Sequence, residues 1–199
     1  AGWITSFDQR SDGPRGGTQQ RRPTLPFPSL GARAAYSAAI SFAWLFARLP
    51  FPLLYRFSAL LNGLVFGLFG YRKRVIRENL ARAFPEKTGT ELEVLARAHQ
   101  KYFCDLMLET FKLLGMSGTE LLERVEFPSR ALAANLFERR KNFIIVLGHF
   151  GNWEWAGAAY AAHGMHVMSC IYHPLSSFVF DRLMYAIRRS RGIRLIRMR

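Results

Sequence analysis

The sequence predicts an α/β protein in which helices cover a mostly parallel sheet. Three short apolar runs, at 143–147, 166–172 and 193–198, have the length and residue types of buried strands. Helical patterns separate these runs, and strand alternating with helix is typical of a parallel sheet. Ligands of such sheets bind at the carboxyl ends of the strands, so we expect a functional site directly after one of these runs.

The N-terminal part of the chain divides into a leader and an apolar segment. Residues 1–30 are rich in Gly, Arg, Pro and Gln without any apolar period, which predicts disorder. In 31–70, two charge-free apolar runs, 34–47 and 57–71, are each shorter than the roughly 18 residues that a spanning helix needs. They are too apolar for a surface helix. We therefore predict a helical membrane-associating segment, with a core helix pair as the alternative, before a domain at 71–199.

The charge of the chain narrows the classes of partner. With 28 basic and 14 acidic residues, the net charge is +14, which suits a nucleic acid, an anionic lipid or an acidic carrier protein. A hydrophobic content of 50% favours the membrane surface over nucleic acid. The basic residues at 72–77, directly after the apolar segment, would lie among lipid headgroups on a cytoplasmic face. Cys104 and Cys170 are read as reduced, buried thiols.

Helix signals fill the middle of the chain. Residues 71–84 form an amphipathic pattern with a strongly basic face. Thr90 and Glu93 fit a capping box that opens a long helix, and Ser117 and Glu120 fit a second box. A short strand at 125–127 and a helix at 129–139 are expected to lead into the strand at 143–147.

The stretch 143–155, FIIVLGHFGNWEW, carries the candidate catalytic chemistry. Gly148 ends the apolar run, so His149 lies at a strand end, and Asn152 is a good N-cap for the helix that follows. His149 and Glu154 straddle this turn and can fold back on each other. Glu154 would then orient the imidazole while its other nitrogen acts as a base. A hydrogen-bonded structural pair is the alternative interpretation.

The residue sequence of this stretch resembles a known motif. Gly-His followed by Gly-Asn-Trp-Glu is similar to the His-x-x-x-x-Glu motif of the lysophospholipid and lipid A acyltransferases, and HFGNWEW is similar to the late acyltransferases of lipid A biosynthesis. The segments YRKRVIRENLARAFPEK at 71–87 and ETFK at 109–112 also resemble that family. For Glu109, a surface pair with Lys112 is the alternative. The resemblance runs from about residue 50 to the end, and the family is longer, which implies a C-terminally incomplete chain.

The resemblance implies a membrane-bound enzyme without a cofactor. It would move a fatty acyl group from an acyl carrier protein thioester to a hydroxyl of a lipid A precursor, an anionic glycolipid, on the cytoplasmic face of the inner membrane. His149 would take the hydroxyl proton and Glu154 would orient His149. The backbone N–H groups of Gly151 and Asn152 are candidate oxyanion donors.

Arginines near the C-terminus are candidate substrate ligands. Residues 181–199 contain seven arginines and one carboxylate. Arg188, Arg189 and Arg191 lie together at the end of a predicted helix, where the helix dipole alone favours cations. The functional interpretation is a fork for an acidic headgroup. The family resemblance points to Arg188, although His173 stands where the family usually has an arginine.

Other function classes have weaker support in the sequence. His163 and His166 are three residues apart, but no Cys or carboxylate completes a metal site, so we predict no metal. The basic residues lack the aromatic pattern of an RNA-binding sheet, so we predict no nucleic-acid partner. The remaining alternatives are acyl transfer to another glycolipid, such as a phosphatidylinositol mannoside, and a non-catalytic peripheral membrane-binding module.

Overall fold

The computed structural model describes residues 28–198, so the predicted leader lies largely outside the described residues. Within that range the protein is mostly helical, with a small parallel sheet of two strands. The elements in chain order are α1 (Leu30–Arg48), α2 (Phe51–Asn62), a π-helical turn (Gly63–Leu68), α3 (Lys73–Ala83), α4 (Gly89–Lys112), α5 (Gly118–Arg124), α6 (Arg130–Glu138), α7 (Trp153–Ala162), β1 (Ser169–Tyr172), α8 (Phe178–Ser190) and β2 (Arg194–Arg197).

The sheet is smaller than predicted. Strands β1 and β2 pair in parallel, with Ser169 opposite Arg194 and Tyr172 opposite Arg197, and α8 connects them. The predicted strand at 143–147 is wrong, because this stretch forms no strand ladder in the described structure. Its alternate residues Ile144 and Val146 are almost fully exposed. An apolar run indicates that side chains can be buried, but it does not supply a strand to pair with.

Two further strand predictions need correction. The run at 166–172 forms a strand only over its last four residues, β1, and 125–127 forms none. The strand predicted from residue 193 is confirmed as β2. A single sequence places element boundaries less reliably than it places the elements themselves.

The helix predictions hold, with shifts at their starts. The capping box of α4 lies two residues earlier than expected: Thr88 Oγ1 accepts from the Glu91 N–H, and Glu91 accepts from the Thr88 N–H. Ser117 caps α5, as predicted, by accepting from the N–H of Glu120. Helices α3, α4 and α6 also form close to the predicted positions.

The two N-terminal helices are longer than the apolar runs suggested. Leu30–Arg48 contains 19 residues, and Phe51–Leu68, which joins α2 to the π-helical turn, contains 18. By length and composition, both are therefore long and apolar enough to cross a membrane, so the prediction that each run is too short to span is wrong. Pro52 does not interrupt the second helix because it lies in the first turn, where its missing N–H is not needed. Only 17% of each span is buried within the protein.

The core forms at the C-terminal end of α4, which packs against α1 and α2, while α8 packs against α1 and α7 packs against α5. At this junction Lys112 is buried, and its Nζ donates to the backbone oxygens of Ala47 (3.0 Å) and Leu49 (2.8 Å). Desolvation lowers the pKa of Lys112. The side chain satisfies carbonyls at the end of α1 that have no partner within the helix. The interpretation of Lys112 as the surface partner of Glu109 is wrong.

The cysteines are both free thiols, but they differ in burial. Cys104 is buried in α4, as predicted, and desolvation raises its pKa. Cys170 is only half-buried in β1, so the expectation of two buried thiols holds for one of them.

Candidate functional site

The site is built on the loop between the stretch 143–147 and helix α7. Gly151 has φ +63°, a left-handed conformation that glycine adopts without a steric penalty. Asn152 then caps α7, as predicted: its Oδ1 accepts from the N–H of Trp155 at 3.1 Å. The cap and the glycine turn fix the direction in which α7 leaves the loop.

A cavity of about 910 Å³ lies beside this loop. One wall is the stretch that leads into Gly148 and His149, and the other is β1 with the residues before and after it. The N-terminal turn of α7 and one face of α8 close it. The lining is largely apolar, and it includes the polar or charged side chains of His149, Glu154, Asp181 and Arg188. Such a lining, with a few convergent polar groups, is typical of a ligand site.

Glu154 makes its ion pair with Arg188. Arg188 Nη2 donates to Glu154 Oε1 at 2.6 Å, and Arg188 Nε donates to Oε2 at 2.9 Å. The Glu154 side chain is 9% exposed, and the Arg188 side chain is 20% exposed. The hydrogen bonds to Glu154 raise the pKa of Arg188, so the guanidinium stays charged. This fork geometry uses both carboxylate oxygens and joins the first turn of α7 to the last turn of α8.

His149 is exposed and contacts Trp153. The two ring centroids are 4.7 Å apart, with an interplanar angle of 61°. Within residues 28–198, no hydrogen bond joins the imidazole to Glu154, whose two oxygens face Arg188. His149, Glu154 and Arg188 therefore line one cavity. The neighbour of the imidazole is the ring of Trp153.

The candidate oxyanion donors lie on the same loop. In the described part of the chain, the backbone N–H groups of Gly151 and Asn152 have no hydrogen-bond acceptor. Phe150, between His149 and Gly151, is 95% exposed and contributes no burial to the loop. The loop thus presents unpaired donors within three residues of the imidazole.

The two other predicted arginines do not line the cavity. Arg189 is exposed on the surface of α8. Arg191 donates from Nη1 to the backbone oxygen of Met116 at 2.7 Å, and burial lowers its pKa. Arg191 therefore ties the end of α8 to the turn before α5. Of the three arginines, Arg188 alone faces the cavity.

Sequence reasoning missed most of the support behind the loop. Glu109 of α4 accepts hydrogen bonds from Asn152 Nδ2 at 2.8 Å and from Tyr55 Oη at 2.9 Å. The hydroxyl of Tyr102 donates to the backbone oxygen of Gly151. Only the ETFK resemblance singled out Glu109, and nothing in the spacing indicated the tyrosines.

The histidines considered as a metal pair have other contacts. His166 Nδ1 lies 2.8 Å from Tyr160 Oη, and its Nε2 lies 3.0 Å from the backbone oxygen of Lys141. His163 packs against Phe127, and burial lowers its pKa. Residues 28–198 contain no group of three or more His, Cys, Asp or Glu side chains placed to hold a metal ion.

The comparison with protein families identifies the chain. The model of the bacterial lipid A biosynthesis acyltransferases matches residues 28–199. The chain belongs to this family. Comparisons with curated proteins and with solved structures give no match.

Membership confirms the resemblance drawn from the GHFGNWE stretch. The protein is thus a lipid A biosynthesis acyltransferase, and its family implies an acyl donor and a lipid acceptor at a membrane. The two apolar N-terminal helices of the acyltransferase are compatible with membrane association.

Proposed function

We propose that this acyltransferase moves a fatty acyl group from the thioester of an acyl carrier protein to a hydroxyl of a lipid A precursor. The proposal depends mainly on the cavity, because His149 and a largely apolar surface line it in a member of this family. The lining suits an acyl chain, and the imidazole suits the proton transfer that an acceptor hydroxyl requires.

The proposed chemistry is a direct transfer. His149 removes the proton of the acceptor hydroxyl as its oxygen attacks the thioester carbonyl carbon. The carbonyl oxygen becomes an oxyanion, which the N–H groups of Gly151 and Asn152 stabilise. When the intermediate collapses, the carbon–sulfur bond breaks, and the thiolate of the carrier takes the proton from the imidazolium. An ester and a free thiol are the products.

In this mechanism Glu154 and Arg188 act as a unit. A carboxylate has about four lone-pair sites, so Glu154 can accept from Arg188 and still orient His149 when substrate closes the site. Arg188 fixes the Glu154 side chain with its two hydrogen bonds. Its remaining N–H groups are proposed to bind the acidic headgroup of the acceptor, since Arg188 is the one of the three predicted arginines that lines the cavity.

The proposal places the enzyme on the cytoplasmic face of the inner membrane. The apolar surfaces of α1 and α2 support it, and so does the basic helix α3 that follows them. An acidic carrier protein fits the net charge of +14. We also propose that the fold of the family is a mostly parallel sheet covered by helices, to which the parallel pair β1 and β2 belongs.

The test is acyl transfer by full-length, detergent-extracted protein with an acyl carrier protein donor and a tetra-acylated lipid A precursor. His149→Ala and Glu154→Ala should each reduce kcat by about a hundredfold or more, as expected when a general base or its orienter is lost. His99→Ala is the matched control, because His99 is exposed on α4, away from the cavity. Near-wild-type transfer by a folded His149→Ala enzyme would contradict the mechanism. Thioester consumption with only another glycolipid would correct the acceptor alone.

A further inference from the structure

Glu109 lies behind the loop that carries His149, and it does not line the cavity. Each oxygen of its carboxylate accepts from one neutral donor: Oε2 from Asn152 Nδ2 (2.8 Å) and Oε1 from Tyr55 Oη (2.9 Å). Its backbone oxygen accepts from Trp155 Nε1 at 2.8 Å. One residue of α4 therefore makes three hydrogen bonds, two of them to the start of α7 and one to α2.

The bond to Glu109 decides how the amide of Asn152 is oriented. Asn152 must turn its Oδ1 toward the N–H of Trp155 to cap α7, which leaves Nδ2 pointing outward. Glu109 accepts from that Nδ2, so the carboxylate selects the capping orientation of the amide. The cap and the Glu109 contact therefore support each other.

The loop has little else to hold it. Phe150 is exposed, and no added Cβ at Gly148 or Gly151 would meet another atom. The described contacts of the loop with α4 are the Glu109–Asn152 bond and the bond from Tyr102 to Gly151. His149 is three residues from Asn152, on the same loop that these contacts attach to α4.

We propose that Glu109 is a positioning residue, which holds the His149 loop in its reactive geometry by fixing the side chain of Asn152. The inference rests on the proposed function for its activity readout. Glu109 touches no reacting atom in this proposal. It works through hydrogen bonds to Asn152, so any side chain that preserves the pattern of donors and acceptors preserves the geometry.

The test exchanges the two partners. Asn152→Asp keeps a good N-cap but places a second carboxylate against Glu109, so kcat should fall about tenfold or more while KM for the donor changes little. Glu109→Gln alone should keep kcat within about threefold, because Gln can accept from Asn152 and donate to Tyr55. The double variant restores a donor–acceptor pair in reverse, and we expect it to recover most of the kcat lost by Asn152→Asp.

Asp105 provides the matched control for the truncation Glu109→Ala. Asp105 lies one turn earlier on α4 and accepts from Ser58 of α2 and from Lys101, but it has no contact with the loop. Both truncations should lower the melting temperature. Only Glu109→Ala should also lower kcat, whereas Asp105→Ala should leave kcat unchanged.

A second readout does not depend on turnover. Carbethoxylation of His149 relative to His99, measured by mass spectrometry, should change in Asn152→Asp and return to the wild-type ratio in the double variant. If wild type transfers no acyl group but this ratio behaves as stated, the proposed function fails and the positioning role stands. The inference is overturned if the carbethoxylation ratio is unchanged in every variant. It is also overturned if Glu109→Gln is as inactive as Glu109→Ala, because activity would then depend on the negative charge of Glu109 and not on its hydrogen bonds.

Discussion

Arg188 binds both carboxylate oxygens of Glu154, at 2.6 and 2.9 Å, across 34 residues of sequence. The pair joins the first turn of α7 to the last turn of α8, and both side chains line the cavity. Since the pair is mostly withdrawn from solvent, neither charge can be removed without leaving the other poorly solvated. The same two residues thus contribute to stability and to the proposed chemistry.

Loss of Arg188 alone should destabilise the fold more than loss of the whole pair. We expect Arg188→Met to lower the free energy of unfolding by about 3 kcal/mol, because Glu154 then remains as a buried, unpaired carboxylate. Adding Glu154→Gln removes that charge and should recover about 1–2 kcal/mol. Urea unfolding of the single and double variants measures the difference. Strictly additive losses would show that the two side chains are not coupled.

Trp153 should affect the rate through its contact with His149. The rings are 4.7 Å apart, and an aromatic pair of this kind contributes about 0.5–1.5 kcal/mol. If the contact holds the imidazole in place, Trp153→Ala should reduce kcat by up to about tenfold. Trp153→Phe keeps a ring at the position and should retain most of the rate. Equal losses in both variants would contradict a role for the ring contact.

The local features of the site were predictable from the sequence, and its tertiary contacts were not. Asn152 is identified as a cap because capping depends on residues within three positions. The pairing of Glu154 with Arg188 depends on how α7 and α8 are placed, whereas spacing in the sequence suggested His149 as the partner of Glu154. The stretch 143–147 was predicted as a strand from composition alone, which does not determine whether a neighbouring strand is present.

Close packing at the end of α1 makes Gly115 sensitive to substitution. A Cβ at Gly115 would lie 2.7 Å from the backbone oxygen of Ala47, which has no room to move because Lys112 also holds it. Gly115→Ala should therefore lower the free energy of unfolding by about 1–3 kcal/mol. Gly118→Ala is the control, since its nearest neighbour would be 3.9 Å away, at Ala162. It should be neutral or stabilise by about 0.5 kcal/mol, as alanine restricts the unfolded chain. Thermal unfolding of both variants compares them, and similar losses would disprove the steric argument.

The apolar surface of the second N-terminal helix should determine membrane binding. Leu60 and Leu68 of this helix are 69% and 74% exposed, and the basic helix α3 follows it. Burial of a leucine side chain in lipid contributes about 1.5–3 kcal/mol, so each change to serine should weaken partitioning into anionic phospholipid vesicles about tenfold or more. Leu132→Ser is the matched control, because Leu132 is 62% exposed but lies on α6. Vesicle flotation measures bound protein for each variant. If Leu132→Ser weakens binding as much as Leu60→Ser, general surface hydrophobicity rather than the N-terminal helices holds the enzyme at the membrane.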